Sequence, residues 1–595
     1  MPPRRRSSRR KPAITRSAAP LRLLALFAGL TLAFSALAAR LVILQIVNAP
    51  AYAQLAEDQR QREVTFAARR GAIFDRDGEP LAISVDLQTI YTDPALVEDP
   101  AAAAERLAPV LGQSVANVEE KLIGSPSWSR FEYLARQAQP ALAAKVRRLN
   151  IPGIFIRPEA KRVYPNGELA SHVLGIVNID GDGLAGVEVR YDDILRGRPG
   201  RMVLEQDPAG RALPQAEFTF ERPTPGRSLF LTIDKDLQYF TELTLDEAVR
   251  DYGADGGVAI VMRPRSGEIL ALANLPDFDP NRAGDYSDDA LRNRALTDVY
   301  EPGSAYKIVT ASAALNEGVV TPRTRFVVPD EMAYSDRVFH DSHSHPTEVM
   351  RVDEIITDSS NVGTIKIGLK LGGERLDEYV RRFGFGARTG LDFPGESPGI
   401  VLPRSAWSGS TIATIPIGQG IAVTALQMAA AFSTIANDGV WIEPKLLYAT
   451  MATDGEVESS SSPADERVVS SRTAQKMKKI LRNVVHEGTG AQAQIPGYSV
   501  AGKTGTAQKP LPTGGYGNSY TASFAGFAPT TRPELVAIVV LDEPSPIWGG
   551  WTAAPTFKTI MEFALRHLGV APTGDAEKAA RAIEAARNGT APSYD

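Results

Sequence analysis

Near the N-terminus an apolar run extends from Leu23 to Ala39; Arg40 interrupts it, and Leu41-Val-Ile-Leu-Gln-Ile-Val47 resumes it. A helix needs about 20 residues to cross the hydrocarbon layer. Residues 21–47 are therefore expected to form a transmembrane anchor, with Arg40 snorkelling to the interface. Farther on, the apolar positions come in shorter packets. Leu229-Phe-Leu-Thr-Ile233 and Gly257-Val-Ala-Ile-Val-Met262 are rich in β-branched residues and predict strands. Asp234 to Arg250 between them predicts a helix with Asp234 as its N-cap. Further helices are predicted at Ile308–Leu315, Val423–Ile435 and Thr473–Val485, and Leu535-Val-Ala-Ile-Val-Val-Leu541 is a continuous apolar run of strand length. Strands at both ends with helices between them predict an α/β domain whose sheet is covered on its faces.

Breaks in the pattern divide the chain. Glu221-Arg-Pro-Thr-Pro-Gly-Arg-Ser228 interrupts any period with two prolines and a glycine and predicts a linker. The expected organisation is a basic tail at 1–20, the anchor at 21–47, a first module at 48–222, a larger module at 223–570 and a flexible tail at 571–595. Glu458-Ser-Ser-Ser-Ser-Pro463 predicts a polar surface loop. No repeat of solenoid period is present.

Charge orients this arrangement. Arg4, Arg5, Arg6, Arg9, Arg10, Lys11, Arg16 and Arg22 precede the apolar run with no acidic residue among them. Such a flank stays in the cytoplasm, which places everything after residue 48 outside. Ala36-Leu37-Ala38 fits a signal-peptidase site, but the apolar stretch continues past it and favours a retained anchor. The formal net charge over 595 residues is only −5, so no nucleic-acid partner is expected. The chain has no cysteine, which excludes disulfides, thiolate metal sites and a cysteine nucleophile.

Three short motifs carry candidate chemistry, in the order Ser304-Ala-Tyr-Lys307, Ser359-Ser-Asn361 and Lys503-Thr-Gly-Thr506. A serine hydroxyl is a poor nucleophile until a base takes its proton. Residues three apart on a helix share a face, so Lys307 would lie beside Ser304. The lysine acts as a base only when neutral. Burial and a second cation both favour that form, and Lys503 is the candidate cation. Lys503-Thr504-Gly505-Thr506 is expected on an edge strand. There Gly505 would admit substrate backbone, and Lys503 with Thr504 would suit a terminal carboxylate. The N–H groups of Ser304 and Thr506 are candidates for an oxyanion hole. Singly each motif is weak: Ser8-Arg-Arg-Lys11 repeats the first pattern in the basic tail. Together and in this order they form a known catalytic signature.

The set resembles the penicillin-binding proteins, specifically class B, with a single anchor, a non-catalytic pedestal and a transpeptidase domain. Arg70-Gly-Ala-Ile-Phe-Asp-Arg-Asp-Gly-Glu-Pro-Leu-Ala82 is similar to the family's signature after the anchor. Arg162-Val-Tyr-Pro165 and Gly183-Leu-Ala-Gly-Val-Glu188 are similar to its later pedestal segments. Asn293-Arg-Ala295, Gly418-Gln-Gly420, Gly488-Thr-Gly490 and Ser523-Phe-Ala-Gly-Phe-Ala-Pro529 resemble its catalytic-domain landmarks. The resemblance covers roughly residues 21–570. It implies an α+β or mostly-β pedestal, and a transpeptidase domain of the serine β-lactamase type with a central antiparallel sheet covered by helices. It also implies an acyl-enzyme on Ser304 formed from a D-Ala-D-Ala stem peptide, with Lys307 as base. Ser359 would be a proton relay, Asn361 would hold the substrate amide, and Lys503 and Thr504 would bind the carboxylate. β-Lactams would acylate the same serine, and no cofactor or metal is needed. Glu301-Pro-Gly-Ser304 and Ser359-Ser-Asn361 resemble the septal branch more than the elongation branch. The implied partners are a glycan polymerase of the SEDS family, other division proteins and the cytoplasmic membrane.

Competing readings were set against this one. A carboxypeptidase or β-lactamase would use water as acceptor on the same fold, and a division scaffold or penicillin sensor would lack chemistry. Gly395-Glu-Ser-Pro-Gly399 matches the nucleophile elbow of α/β-hydrolases, but Gly399 to Pro403 shows no helical period and a turn is expected. His340, His343 and His345 hold half of the chain's six histidines. Their spacing fits no standard zinc pattern, so a polar loop beside the active site is expected.

Overall fold

Period-two alternation explains the strands that read as continuously apolar. In Leu535–Asp542, Val536, Ile538 and Val540 enter one buried core, whereas Leu535, Ala537, Val539 and Leu541 enter another. Gly256–Met262 divides in the same way, with Val258, Ile260 and Met262 against Ala259 and Val261. A strand buried on both faces has no polar face to show in its sequence. The computed structural model describes residues 19–50, 52, 61–124, 130–205, 219–511 and 513–573.

The two strands belong to a five-stranded antiparallel sheet. Its order is Ile269–Leu275, Gly256–Met262, Leu535–Asp542, Tyr516–Ala528 and Ala501–Pro510. Lys235–Asp251 and Ala553–His567 cover one face, where Phe240 and Phe563 stack with centroids 4.0 Å apart. Asp234 caps the first of these helices by accepting from Leu237 N, as expected. Lys307–Asn316, Ala425–Ala436 and Ser471–His486 pack against the other face. Every residue of Ala425–Ala436 is buried, and its few polar side chains are turned to backbone partners where bonded, as with Gln427 to the Ala387 carbonyl and Thr434 to the Ala430 carbonyl. Each helix and strand predicted from the apolar pattern between Leu229 and Leu541 is present, with ends shifted by at most two residues.

Two expectations change. Ser228–Leu231 lies outside the five-stranded sheet. It pairs in parallel with Ile73–Phe74 and antiparallel with Leu447–Met451, in a seven-stranded sheet that also contains Pro80–Thr92, Glu132–Ala138 and Ile154–Val163. Its short apolar run carries no mark of which sheet it joins. Glu458 and Ser459 are not loop: they complete the strand Val457–Ser459 on the edge of that sheet, where all three residues are exposed. Polar side chains suit an exposed edge.

The pedestal segments singled out in the sequence converge on one buried carboxylate. Arg70 Nε donates to Glu188 Oε2 at 2.7 Å, Arg162 Nε to Glu188 Oε1 at 2.6 Å, and the Tyr164 hydroxyl to Oε1 at 3.2 Å. Arg70 also reaches Asp192 at 2.6 Å, and Arg162 donates to the Gly71 carbonyl at 2.7 Å. Gly71 has no room for a Cβ, which would sit 2.0 Å from the Arg227 carbonyl oxygen. The described residues within 67–198 and 224–573 form one compact unit.

A second unit contains a three-stranded antiparallel sheet with Gly200–Glu205 between Gln61–Phe66 and Thr219–Glu221. It also contains the apolar helix, whose span Pro20–Val47 has a mean hydropathy of 2.0 and no buried residues. This is one N-terminal helix long and apolar enough to cross a membrane. The basic tail up to residue 18 and the tail from 574 lie outside the described residues.

Candidate active site

The nucleophile candidate sits on a tighter turn than expected. Gly303–Tyr306 is a single 3₁₀ turn, and the α-helix begins at Lys307. In a 3₁₀ turn residues three apart eclipse one another, so Ser304 and Lys307 are stacked more directly than on an α-helix. Ser304 is partly exposed at the cleft, whereas Lys307 is 0% exposed.

The turn is wedged among small residues. Gly303 has φ +52°, and a Cβ there would press on the Thr506 carbonyl oxygen at 2.9 Å. A Cβ on Gly505 would lie 2.3 Å from Ser523 Oγ and 2.8 Å from the Pro302 carbonyl oxygen. Gly505 is thus required by the protein's own packing, with the serine-bearing turn seated on the strand. This requirement is separate from the expected approach of substrate backbone at Gly505.

The first two motifs meet at Lys307 Nζ. It donates to the Ser359 carbonyl at 2.6 Å and Asn361 Oδ1 at 2.8 Å, and lies 3.3 Å from Ser359 Oγ. Ser359 adopts φ +63°, a left-handed conformation uncommon outside glycine. That conformation turns its carbonyl and hydroxyl toward the same amine. With the amine neutral, two protons serve the two carbonyl-type oxygens and the lone pair is left for a hydroxyl. Burial holds the Lys307 pKa well below the usual lysine value, Lys503 pushes it in the same direction, and Asp341 opposes them.

Lys503 lies on Ala501–Pro510, the edge strand of the five-stranded sheet, and is also 0% exposed. Burial brings its pKa down to about 7. Its Nζ is 3.2 Å from Thr504 Oγ1 and 3.3 Å from Thr489 Oγ1, and the two threonine hydroxyls are 3.0 Å apart. One ammonium and two hydroxyls therefore converge on one spot. No carboxylate of the protein is bonded to Lys503 among the described residues.

A cleft of about 300 Å³ joins these groups. Ser304, Ser359, Asn361, Thr504 and Thr506 line it together with Thr489. Trp548 and Trp551 stand at its margin, 43% and 64% exposed. Asn361 Nδ2 donates one hydrogen to the His340 carbonyl at 2.9 Å, which leaves its other hydrogen for a ligand. Glu301, next to the turn, accepts from Gly420 N at 2.9 Å and from the Tyr516 hydroxyl at 3.1 Å. It ties the Gly418-Gln-Gly420 segment to the serine-bearing turn.

Sequence reasoning assigned no role to Thr489, although Gly488-Thr-Gly490 was recognised as a landmark. Two glycines around a hydroxyl residue were the available signal. It also missed Trp548 and Trp551, whose short segment Trp548-Gly-Gly-Trp551 has no period. The histidines are engaged separately. His345 Nε2 meets Asp341 at 3.1 Å, His343 stacks near Trp548, and His340 lies 3.8 Å from Glu331. Among the described residues no group of three or more His, Cys, Asp or Glu side chains is placed to hold a metal ion. Ser397 follows a turn, not a strand, and its hydroxyl accepts from Gly399 N at 3.2 Å, so the elbow context is missing.

Comparison with known proteins agrees with this geometry. The family model for the penicillin binding protein transpeptidase domain matches residues 257–562, and that for the penicillin-binding protein dimerisation domain matches residues 65–231. Peptidoglycan D,D-transpeptidase FtsI of Escherichia coli strain K12 is 33% identical over 569 residues, spanning 91% of this chain and 92% of the relative. Penicillin-binding protein PbpB of Mycobacterium tuberculosis is 34% identical over 553 residues, spanning 88% and 81%. Among solved structures, penicillin binding protein 3 from Mycobacterium tuberculosis complexed with aztreonam is 32% identical with a TM-score of 0.68, over 86% of this chain and 98% of that one. With both family models matched and residues of all three motifs lining one cleft, the chain belongs to the class B penicillin-binding protein transpeptidases.

Proposed function

We propose that this protein is a peptidoglycan D,D-transpeptidase that cross-links stem peptides through an acyl-enzyme on Ser304, in septal wall synthesis. The observation that carries the reading is Lys307: a buried amine with no carboxylate bonded to it among the described residues, hydrogen-bonded to the second motif and eclipsing Ser304 on one turn. A lysine so placed is a base near neutral pH.

Ser304 Oγ adds to the carbonyl carbon of the penultimate D-Ala while its proton passes to Lys307 Nζ. The peptide C–N bond then breaks, and the leaving D-Ala amine takes a proton relayed through the Ser359 hydroxyl. An amine of a second stem peptide attacks the resulting ester, gives its proton to Lys307 and frees the serine hydroxyl. Asn361 donates to the substrate amide. Lys503, Thr504 and Thr489 receive the terminal carboxylate, and Thr506 and Ser304 offer backbone N–H groups to the oxyanion. A relative known as a complex with aztreonam supports a cleft that takes β-lactams.

The reading extends to location and partners. The apolar helix Pro20–Val47 is a single-pass anchor with the basic tail inside and the catalytic portion outside. A SEDS-family glycan polymerase docks on the pedestal. The names FtsI and PbpB among the relatives support the division role.

Fluorescent penicillin followed by mass spectrometry tests the chemistry. The adduct is expected on the peptide containing Ser304 and absent from Ser304→Ala. An adduct on another serine would overturn the assignment. Incubation with a pentapeptide donor and an amine acceptor separates the two outcomes for the acyl-enzyme: transfer supports the transpeptidase, and release to water alone would make the protein a carboxypeptidase.

A further inference from the structure

We infer that Asp341 is a positioning residue for the acylation step, fixing the Ser359-Ser-Asn361 segment and setting the field at Lys307. The inference rests on the reading that Lys307 is the base. Asp341 lies 18 residues before Ser359, in a stretch that the sequence marked only for its histidines. Its carboxylate is 6% exposed and fully engaged. Oδ1 accepts from Asn361 N and from Val362 N at 2.9 Å; Oδ2 accepts from Ser360 Oγ at 2.6 Å and faces His345 Nε2 at 3.1 Å.

These bonds explain how a short polar segment holds its shape. Asn361–Leu371 is a helix, and the first N–H groups of a helix have no internal acceptor. Asp341 takes the first two from outside, while Ser360 Oγ takes the N–H of Gly363 at 2.9 Å. Ser359, in its left-handed conformation, precedes this doubly capped end. Its carbonyl and hydroxyl therefore stay aimed at Lys307 Nζ, and Asn361 Oδ1 with them. Without the carboxylate, three donors lose their acceptor at once and the segment is free to relax.

The second effect is electrostatic. Two charged groups act on Lys307: Lys503 favours the neutral amine, and Asp341 favours the ammonium. Asp341 thus keeps the base basic enough to accept a proton from the serine, while burial and Lys503 keep it neutral enough to try. Around Asp341 itself, the facing titratable group is His345, whose pKa is raised by its bonds to the Pro346 carbonyl and to Asp341, with Glu348 adding to the field. Asp330 lies behind, where its carbonyl accepts from Asp341 N at 2.9 Å and its carboxylate accepts from Ser344 Oγ at 2.8 Å.

The test measures the second-order rate of penicillin acylation against pH in the full chain. Asp341→Ala is expected to lower the plateau rate about 10- to 100-fold, the range for losing an acceptor shared by several buried donors. Asp341→Asn keeps the shape and part of the bonding but not the charge. It is expected to lose less than about tenfold and to move the acid limb to lower pH, because the Lys307 ammonium loses its counter-charge. His345→Gln should leave the limb in place. Wild-type rates in Asp341→Ala would overturn the inference. So would an Asp341→Asn limb that stays fixed, which would leave a merely structural role, or a limb that moves in His345→Gln, which would assign the titration to the imidazole. Melting curves of Asp341→Asn guard against misfolding. If the wild type carries no adduct on Ser304, the catalytic reading fails and this inference falls with it, whereas a wild type acylated on Ser304 with unaffected Asp341 variants overturns this inference alone.

Discussion

Two regions of one fold bury cations in opposite ways. In the pedestal, Arg70 and Arg162 lie 6% and 3% exposed, each bonded to Glu188, which is itself fully buried. At the cleft, Lys307 and Lys503 are equally buried, yet neither is bonded to a carboxylate. Removing a charge from water costs several kcal/mol unless a counter-charge and hydrogen bonds restore most of it. In the pedestal both are present, the charges remain, and the result is a rigid junction among three distant segments. In the cleft burial lowers both pKa values: Lys307 is left disposed to take a proton, with Asp341 partly opposing the shift, and Lys503, at about 7, still carries charge near neutral pH. Residue chemistry also follows the division. Arginine keeps its proton wherever it is buried, whereas lysine gives it up. A base is built from the second and a structural pin from the first.

The comparison breaks most visibly at the base. Lys307→Ala is expected to slow penicillin acylation of Ser304 about 10³- to 10⁴-fold, the upper range for general-base catalysis, with little change in melting temperature. Stopped-flow acylation measures it, and a loss below tenfold would return the base to another group. The pedestal should respond in the opposite sense. Glu188→Ala leaves two buried guanidiniums without their shared carboxylate, and breaking such a network costs about 3–5 kcal/mol. Denaturant unfolding should show that loss while the folded fraction still acylates at the wild-type rate. A slowed rate at unchanged stability would mean that the two regions are not separable.

Lys503 sharpens the electrostatic half. It lowers the Lys307 pKa, so Lys503→Ala should raise it and move the acid limb of the acylation profile to higher pH, opposite to Asp341→Asn. Lys503→Arg keeps the charge and should retain more activity than Lys503→Ala. Stability provides an independent sign. With Lys503 at about 7 in the folded chain and at the usual lysine value when unfolded, the unfolded state binds the extra proton above pH 7. The stability of wild type relative to Lys503→Met should therefore rise from pH 7 towards 10 and be flat below 7. A flat difference throughout would show that Lys503 keeps an ordinary pKa. The smallest effect belongs to exposed charge. Arg250 pairs with Asp246 one helical turn away, both largely solvated. Arg250→Ala should cost about 0.3–0.5 kcal/mol by chemical denaturation, and a value near that of Glu188→Ala would undo the distinction between buried and surface pairs.

The sequence by itself determined the helices and strands with strong periods or long apolar runs, because a covered sheet and its packing helices need those residues wherever they sit in space. The candidate set was also legible there: Ser304, Ser359, Asn361, Thr504 and Thr506 line one cleft, with Lys307 and Lys503 buried beside them. Tertiary structure alone decided three matters. The sheet that Ser228–Leu231 joins depends on hydrogen bonds to strands more than 150 residues away, and three apolar residues after a serine cannot specify a partner. The need for glycine at 505 comes from the turn at 302–305 pressing on the strand, a contact between segments 200 residues apart. Asp341 and Thr489 acquire meaning only when folding brings their oxygens within 3.3 Å of a helix end or of Lys503 Nζ. Isolated polar residues in loops have no period to betray them, since their partners are set by distance in space and not by spacing in the chain.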